Sequence, residues 1–105
     1  MEMDKDLQAR QEARCLAKKA EQAQIRLSNM TQAQLDAIVE AVAKAFHESA
    51  RELAEMAAKE TGFGNAEDKT TKNRFASRRV ANAVKEMKTV GVLREHPKEK
   101  LWEVA

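Results

Sequence analysis

The stretch QAQLDAIVEAVAKAFHESARELAEMAAKETG, residues 32–62, decides the fold. Its apolar residues recur at spacings of three and four, which places them on one face of a helix. These residues are Leu35, Ile38, Val39, Val42, Phe46, Ala50, Leu53 and Ala57, with Met56 at the edge of the stripe. Gly62 follows the pattern, and glycine readily takes the left-handed conformation that ends helices. The pattern predicts one helix over residues 32–61.

Two further helices are predicted on either side of this stretch. Residues 4–27 repeat the same spacing with a stripe that consists mostly of alanine: Ala9, Ala13, Leu16, Ala20, Ala23 and Leu27. Residues 66–88 carry a third stripe, Ala76, Val80, Ala83, Val84 and Met87, with Phe75 beside it. Because alanine buries little area, the first helix is expected to pack on another element rather than form a core by itself.

After residue 88 the pattern changes from helical to alternating. Residues 89–93 are rich in β-branched side chains, residues 95–99 contain Pro97, and residues 100–104 alternate again. The pattern predicts a short β-hairpin over residues 89–104. An isolated two-stranded hairpin is marginal in water, so its edges are expected to need a neighbour. The predicted fold class is mainly α, of the α+β type, with three amphipathic helices followed by the hairpin.

Composition limits what the chain does unaided. It has 105 residues, of which 43% are hydrophobic, 34% charged and 4% aromatic, and its formal net charge is +2. This length fits one domain or a piece of a larger one. Much of the apolar fraction is alanine, so a thin core and a need for a partner surface are expected. No run of eighteen apolar residues predicts a membrane span, and the single cysteine fits a reducing, cytoplasmic compartment.

Residues with catalytic chemistry are few. Cys15 is the only thiol, and it lies in the middle of the first predicted helix with no histidine near it in sequence. His47 and His96 lack the spacing of metal ligands, and three glycines cannot build a phosphate-cradling loop. We therefore assign no catalytic, cofactor-binding or metal-binding residue in this chain.

The third predicted helix is strongly basic. Between residues 69 and 88 there are seven cations and one anion, Glu86, and four of the cations are candidates for anion binding: Lys72, Arg74, Arg78 and Arg79. No aromatic residues are expected to be interleaved with these cations for base stacking. With a net charge of only +2 for the whole chain, a solvated face, or a face that meets acidic residues or a phosphorylated ligand of a larger protein, is favoured over nucleic acid.

A series of short motifs runs in order through the second half of the chain. The motifs are Glu60-Thr61-Gly62-Phe63-Gly64, Glu67-Asp68-Lys69, Lys72-Asn73, Phe75-Ala76-Ser77 and Lys88-Thr89-Val90-Gly91-Val92-Leu93. In this order they resemble the N-terminal region of CoA-acylating aldehyde dehydrogenases, including the aldehyde half of bifunctional aldehyde-alcohol dehydrogenases. Residues 31–39 also fit that family, whereas Thr70 and Thr71 stand where it usually has apolar residues. The resemblance covers nearly the whole chain.

The resemblance implies that residues 1–105 form a single N-terminal segment of the aldehyde dehydrogenase fold, without its catalytic and cofactor domains. The full-length enzyme would convert an aldehyde, CoA and NAD to acyl-CoA and NADH. Its catalytic cysteine lies beyond the matched region and Cys15 does not match it, so this chain is expected to bind no cofactor and to be inactive alone.

The resemblance also implies partners. They are the remainder of the enzyme or another copy of the chain in a homo-oligomer, because such strands belong to the region through which related subunits associate. The candidate interface residues are Val90, Val92, Trp102 and Val104. Two alternatives stay open: a small stand-alone helical protein whose basic helix binds an anionic partner, and an assembly or docking module.

Overall fold

The structure is a computed structural model that describes all of residues 1–105. The α-helices are α1 (Lys5–Leu27), α2 (Gln32–Glu48), α3 (Ala50–Thr61), α4 (Ala66–Arg74) and α5 (Ala81–Val84), with a π-helical segment, Phe75–Val80, between the last two. The strands are β1 (Val92–His96) and β2 (Leu101–Val104). This confirms the predicted fold class. The chain divides into two compact units, residues 1–31 and 32–105.

The first unit is the long helix α1 and the turn that follows it. The helix begins and ends within a residue of the predicted 4–27, and none of its side chains is buried. At its end the carbonyl of Ile25 accepts hydrogen bonds from Ser28 Oγ (2.8 Å) and Asn29 Nδ2 (3.1 Å). These two side chains satisfy a carbonyl that the ending helix leaves without a partner.

The predicted continuous helix over residues 32–61 is wrong at one point, because α2 and α3 are separated at Ser49. The backbone of Ser49 has φ −92° and ψ 8°, outside the ordinary helical values. Next to this break, Asn73 Nδ2 donates a hydrogen bond to the carbonyl oxygen of Ala50 at 3.0 Å. Since the apolar spacing continues unchanged across the break, periodicity alone gives no sign of it.

The second unit is held together mainly where α3 packs on α4. The buried apolar side chains are two alanines, Ala50 and Ala54, and the buried polar one is Thr70, which is 8% exposed. Thr70 Oγ1 donates to the carbonyl oxygen of Ala66 at 2.7 Å, so this hydroxyl is buried with a partner. The small side chains let the two helices approach closely, but they bury little apolar area.

The predicted third helix, residues 66–88, is also not continuous. It begins as predicted, because Asn65 Oδ1 accepts a hydrogen bond from the amide of Asp68 (2.8 Å) and caps α4. From Phe75 to Val80 the turns widen to π geometry, in which the amide of Ala81 reaches the carbonyl of Ala76. Helical structure then ends at Val84, four residues before the predicted end.

The hairpin is shorter than predicted and irregular. Its strands pair antiparallel, with Val92 opposite Val104 and His96 opposite Leu101, and a bulge lies between Val92 and Arg94. The segment before it is fixed to the start of α2 through Gln32. Gln32 Oε1 accepts from the amide of Thr89, and Gln32 Nε2 donates to Thr89 Oγ1, both at 2.8 Å.

We expect Asn73→Ala to lower the free energy of unfolding by about 1–2 kcal/mol, because it leaves the Ala50 carbonyl without its side-chain donor. Asn82→Ala, an exposed asparagine after the π-helical segment, is the matched control. Urea unfolding followed by circular dichroism measures both variants. Equal stability of the two variants would show that the bond to Ala50 contributes nothing.

Candidate functional site

An apolar groove of about 590 Å³ runs between α2, α3 and the α4–π helix. It is lined mainly by the face that the sequence predicts as apolar: Ile38, Val39, Val42, Ala43, Phe46, Leu53, Ala54, Ala57, Ala76 and Ala81, with Lys69, Lys72, Asn73 and Ser77 as its polar residues. We call this surface the apolar groove.

The large side chains of the apolar groove remain exposed. Phe46 is 55% exposed and Val42 51% exposed, and Ile38 and Val39 are exposed as well. Contiguous apolar patches that open to solvent mark surfaces that bind something, whereas single exposed apolar residues need no explanation. The apolar groove is therefore the strongest candidate for a functional surface in residues 32–105.

A chain of hydrogen bonds runs through Asn73 and Ser77, two of the polar residues that line this groove. His47 Nδ1 lies 3.3 Å from Ser77 Oγ, and Ser77 Oγ donates to the carbonyl oxygen of Asn73 at 2.7 Å. Asn73 in turn donates to Ala50, so one run of polar groups joins α2, α3 and the α4–π helix. The sequence did not predict that Asn73 and Ser77 join helices, because both residues were noted only as members of the family motifs.

A second groove, of about 650 Å³, is lined by His47, Thr71, Arg74, Phe75, Arg78 and Arg79, and we call it the arginine groove. Three of the four predicted anion-binding residues meet there, while Lys72 lies in the apolar groove instead. The expectation that no aromatic residue is interleaved with the cations is wrong, because Phe75 lines the arginine groove. Ordinary helical spacing places Phe75 on the same side as Arg74, Arg78 and Arg79.

A third cleft, of about 870 Å³, lies between α2 and residues 77–89. Its charges are of both signs, with Asp36, Glu40 and Glu86 facing Lys85 and Arg78 among its lining residues. With Glu48 and Lys44 included, four carboxylates and three cations line this cleft, and the ion pair Lys44–Glu48 is long (3.9 Å) and exposed. Such a surface is typical of a solvated face and points to no chemistry.

The predicted interface residues of the hairpin fall into two groups. Val92 and Val104 are a cross-strand pair, and Trp102 lies two residues from Val104, so these three side chains share one face of the hairpin. Trp102 is 67% exposed and Val104 is exposed as well, whereas Val92 is half-buried. Val90 lies before β1 and is also half-buried.

The thiol and the imidazoles are not gathered into a site. Cys15 is exposed, and its sulfur accepts a hydrogen bond from Gln11 Nε2 at 3.3 Å. His96 Nε2 lies 3.3 Å from Glu103 Oε1 on the hairpin. No group of three or more His, Cys, Asp or Glu side chains could hold a metal ion, and no helix has the length and hydropathy to cross a membrane.

Known proteins are similar to this chain in fold and in sequence. The crystal structure of an acetylating aldehyde dehydrogenase from Geobacillus thermoglucosidasius superposes on 98% of the chain with a TM-score of 0.84 and 48% sequence identity. Among curated proteins, the bifunctional aldehyde-alcohol dehydrogenase of Escherichia coli K12 is 43% identical over 84 residues, which is 80% of this chain. The acetylating succinate-semialdehyde dehydrogenase of Clostridium kluyveri is 38% identical over 90 residues, or 86% of this chain.

The chain is homologous to a segment of the acetylating aldehyde dehydrogenases. The resemblance predicted from the sequence motifs is thereby confirmed, and the fold matches an N-terminal piece of an acetylating aldehyde dehydrogenase. The chain spans only 9% of the Escherichia coli relative, 20% of the Clostridium kluyveri relative and 23% of the Geobacillus structure. No family model matches the chain.

We expect Val42→Lys to reduce the fluorescence enhancement of the dye 1-anilinonaphthalene-8-sulfonate by about twofold or more, because it places a charge in the exposed apolar groove. Ala41→Lys adds the same charge at the neighbouring position, which does not line the groove. A fluorescence titration with each purified variant measures the difference. An equal loss with Ala41→Lys would contradict binding of the dye in the groove.

Proposed function

We propose that the chain is the N-terminal segment of an NAD-dependent CoA-acylating aldehyde dehydrogenase and acts by docking on the remainder of that enzyme. The full enzyme would convert an aldehyde, CoA and NAD to acyl-CoA and NADH. The observation that carries the proposal is the exposed apolar groove on a fold that superposes on part of a longer enzyme. The chain's own contribution is structural.

The thin core supports this assignment. Ala50 and Ala54 are the buried apolar residues, whereas Phe46, Val42 and Phe63 stay exposed. A stretch of this length that buries so little apolar surface has little to offset the entropy of folding. In the Geobacillus relative the matched fold is 23% of the chain, so further residues of the same polypeptide exist there to cover such a surface.

The glycines do not fit a dinucleotide-binding loop. Gly62, Gly64 and Gly91 all have positive φ, but they belong to turns after α3 and before β1 rather than to a strand–turn–helix unit. We therefore place NAD and CoA on the remainder of the enzyme, together with the catalytic thiol. The exposed, unpaired Cys15 fits a cytoplasmic location, where thiols stay reduced.

The hairpin supplies a second contact surface under this proposal. Two strands alone leave both outer edges unpaired, and the apolar side chains of Trp102 and Val104 are exposed beside them. Its partner is the remaining part of the enzyme or the same hairpin in a second copy. Either would extend the sheet and cover these side chains.

The purified chain is expected to form no NADH from acetaldehyde, CoA and NAD, because the residues that would catalyse the reaction lie elsewhere. Absorbance at the NADH band measures this, and steady turnover by the chain alone would contradict the proposal.

The tagged chain is expected to co-purify with the Geobacillus enzyme from which the matching segment has been removed. Val42→Lys should abolish co-purification and Ala41→Lys should not. If the shortened enzyme stays dissolved and never retains the chain, docking is disproved.

Trp102→Ala combined with Val92→Asp should shift the sedimentation profile of the chain towards the monomer, because both changes remove apolar area from one face of the hairpin. Leu101→Ala, on the opposite face of β2, is the control and should leave the profile unchanged. A profile that is the same for all variants would count against the hairpin as an interface between copies.

A further inference from the structure

We infer that the arginine groove is a binding site for a small nucleotide that carries at least two phosphate groups. The site is separate from the apolar groove and from the hairpin, and it does not depend on the proposed function. It rests on the charge of the groove, the spacing of its arginines, the exposure of the Phe75 ring and the size of the groove, all within residues 47–79.

The charge of the groove is unbalanced. Arg74, Arg78 and Arg79 line it, and no carboxylate does. None of these three guanidinium groups forms an ion pair in the structure, whereas Arg51 is paired with Glu55 at 2.9 Å. Three arginines without acidic partners repel one another, and an anion with several oxygens relieves that repulsion. Arg78 also lines the mixed-charge cleft beside α2, whereas Arg74 and Arg79 do not.

The spacing of the arginines suits two neighbouring phosphate groups. Residues 71, 74, 75, 78 and 79 follow one another at three- and four-residue intervals, so they lie along one face of the α4–π helix. Arginine presents a planar fork of donors that binds phosphate oxygens in pairs. Arg74 is one turn away from Arg78 and Arg79, so two forks can hold two phosphates along the helix.

Two aromatic side chains close the groove. Phe75 lies between the arginines and is 54% exposed, so its ring is free for a planar base. His47 of α2 lines the opposite side of the groove, and its Nδ1 lies within hydrogen-bond distance of Ser77 Oγ. Ser77 Oγ donates its own proton to the carbonyl oxygen of Asn73, so it accepts a hydrogen bond from His47. In a neutral His47 ring the proton therefore lies on Nδ1.

The single exposed ring separates a small ligand from a polymer. The groove, of about 650 Å³, is open to solvent, and one ring stacks on one base only. A nucleic acid strand needs several stacking residues and a longer basic track. An acidic peptide would use the arginines but would leave Phe75 without a role.

Isothermal titration calorimetry of the full chain at low salt tests the inference with three probes. Inorganic pyrophosphate should bind, ADP should bind several-fold more tightly because its base stacks on Phe75, and adenosine should not bind measurably. Failure of both pyrophosphate and ADP to bind would overturn the inference. Tighter binding of a thymidine oligonucleotide or of polyglutamate than of ADP would also overturn it, in favour of a macromolecular partner.

Variants then locate the site. Arg74→Ala and Arg78→Ala should each weaken ADP binding about tenfold, and Arg78→Lys should weaken it less because it keeps the charge but loses the fork. Phe75→Leu should bring the affinity for ADP down to that for pyrophosphate. Arg14→Ala on α1 removes the same charge elsewhere, and an equal weakening by this control would show non-specific attraction instead. Circular dichroism spectra check that each variant keeps its helix content.

Discussion

The structure of residues 32–105 depends on the contact between α3 and α4. The buried side chains there are small, Ala50 and Ala54 from one helix and Thr70 from the other, and Asn73 adds a hydrogen bond to Ala50 next to the break before α3. A contact of this kind fixes the positions of helices but buries little apolar surface. The larger apolar residues of α2 therefore remain at the surface, where they form the apolar groove.

In this arrangement hydrogen bonds join the helices, although little apolar surface is buried between them. Within this unit Asn73 joins the α4–π helix to α3 and Ser77 contacts His47 of α2. Gln32 ties Thr89 to the start of α2. The burial that would normally stabilise such helices is missing. The grooves thus lie open between helices that polar contacts join, and the Geobacillus relative, of which this chain covers 23%, is much longer.

Periodicity predicted which segments are helical and which form the hairpin, because those signals are local. It did not predict the break at Ser49 or the π-helical segment from Phe75 to Val80. Side-chain hydrogen bonds lie next to both irregularities, from Asn73 across 23 residues to Ala50 and from Ser77 to the preceding turn. An amino-acid pattern that repeats every three or four residues carries no record of such bonds.

The candidate sites could be predicted from the sequence only as far as they depend on local patterns. The apolar face of residues 35–57 was visible as a stripe, and the order of family motifs was visible as letters. The division of the cations follows ordinary helical spacing, which places Arg74, Arg78 and Arg79 with Phe75 and places Lys72 with Ala76. The residues of other elements that complete each groove were not visible in the sequence, because they depend on how α2 and α3 pack against this helix.

Thiol accessibility at the apolar groove tests the central claim most directly. In a Cys15→Ser background, Val42→Cys places a single thiol in the groove, and iodoacetamide labels it at a rate that reflects its exposure. The rate should be high in the chain alone and fall by about tenfold or more once the remainder of an acetylating aldehyde dehydrogenase is bound. Equally fast labelling in the bound state would show that the groove stays open, and would contradict docking through this surface.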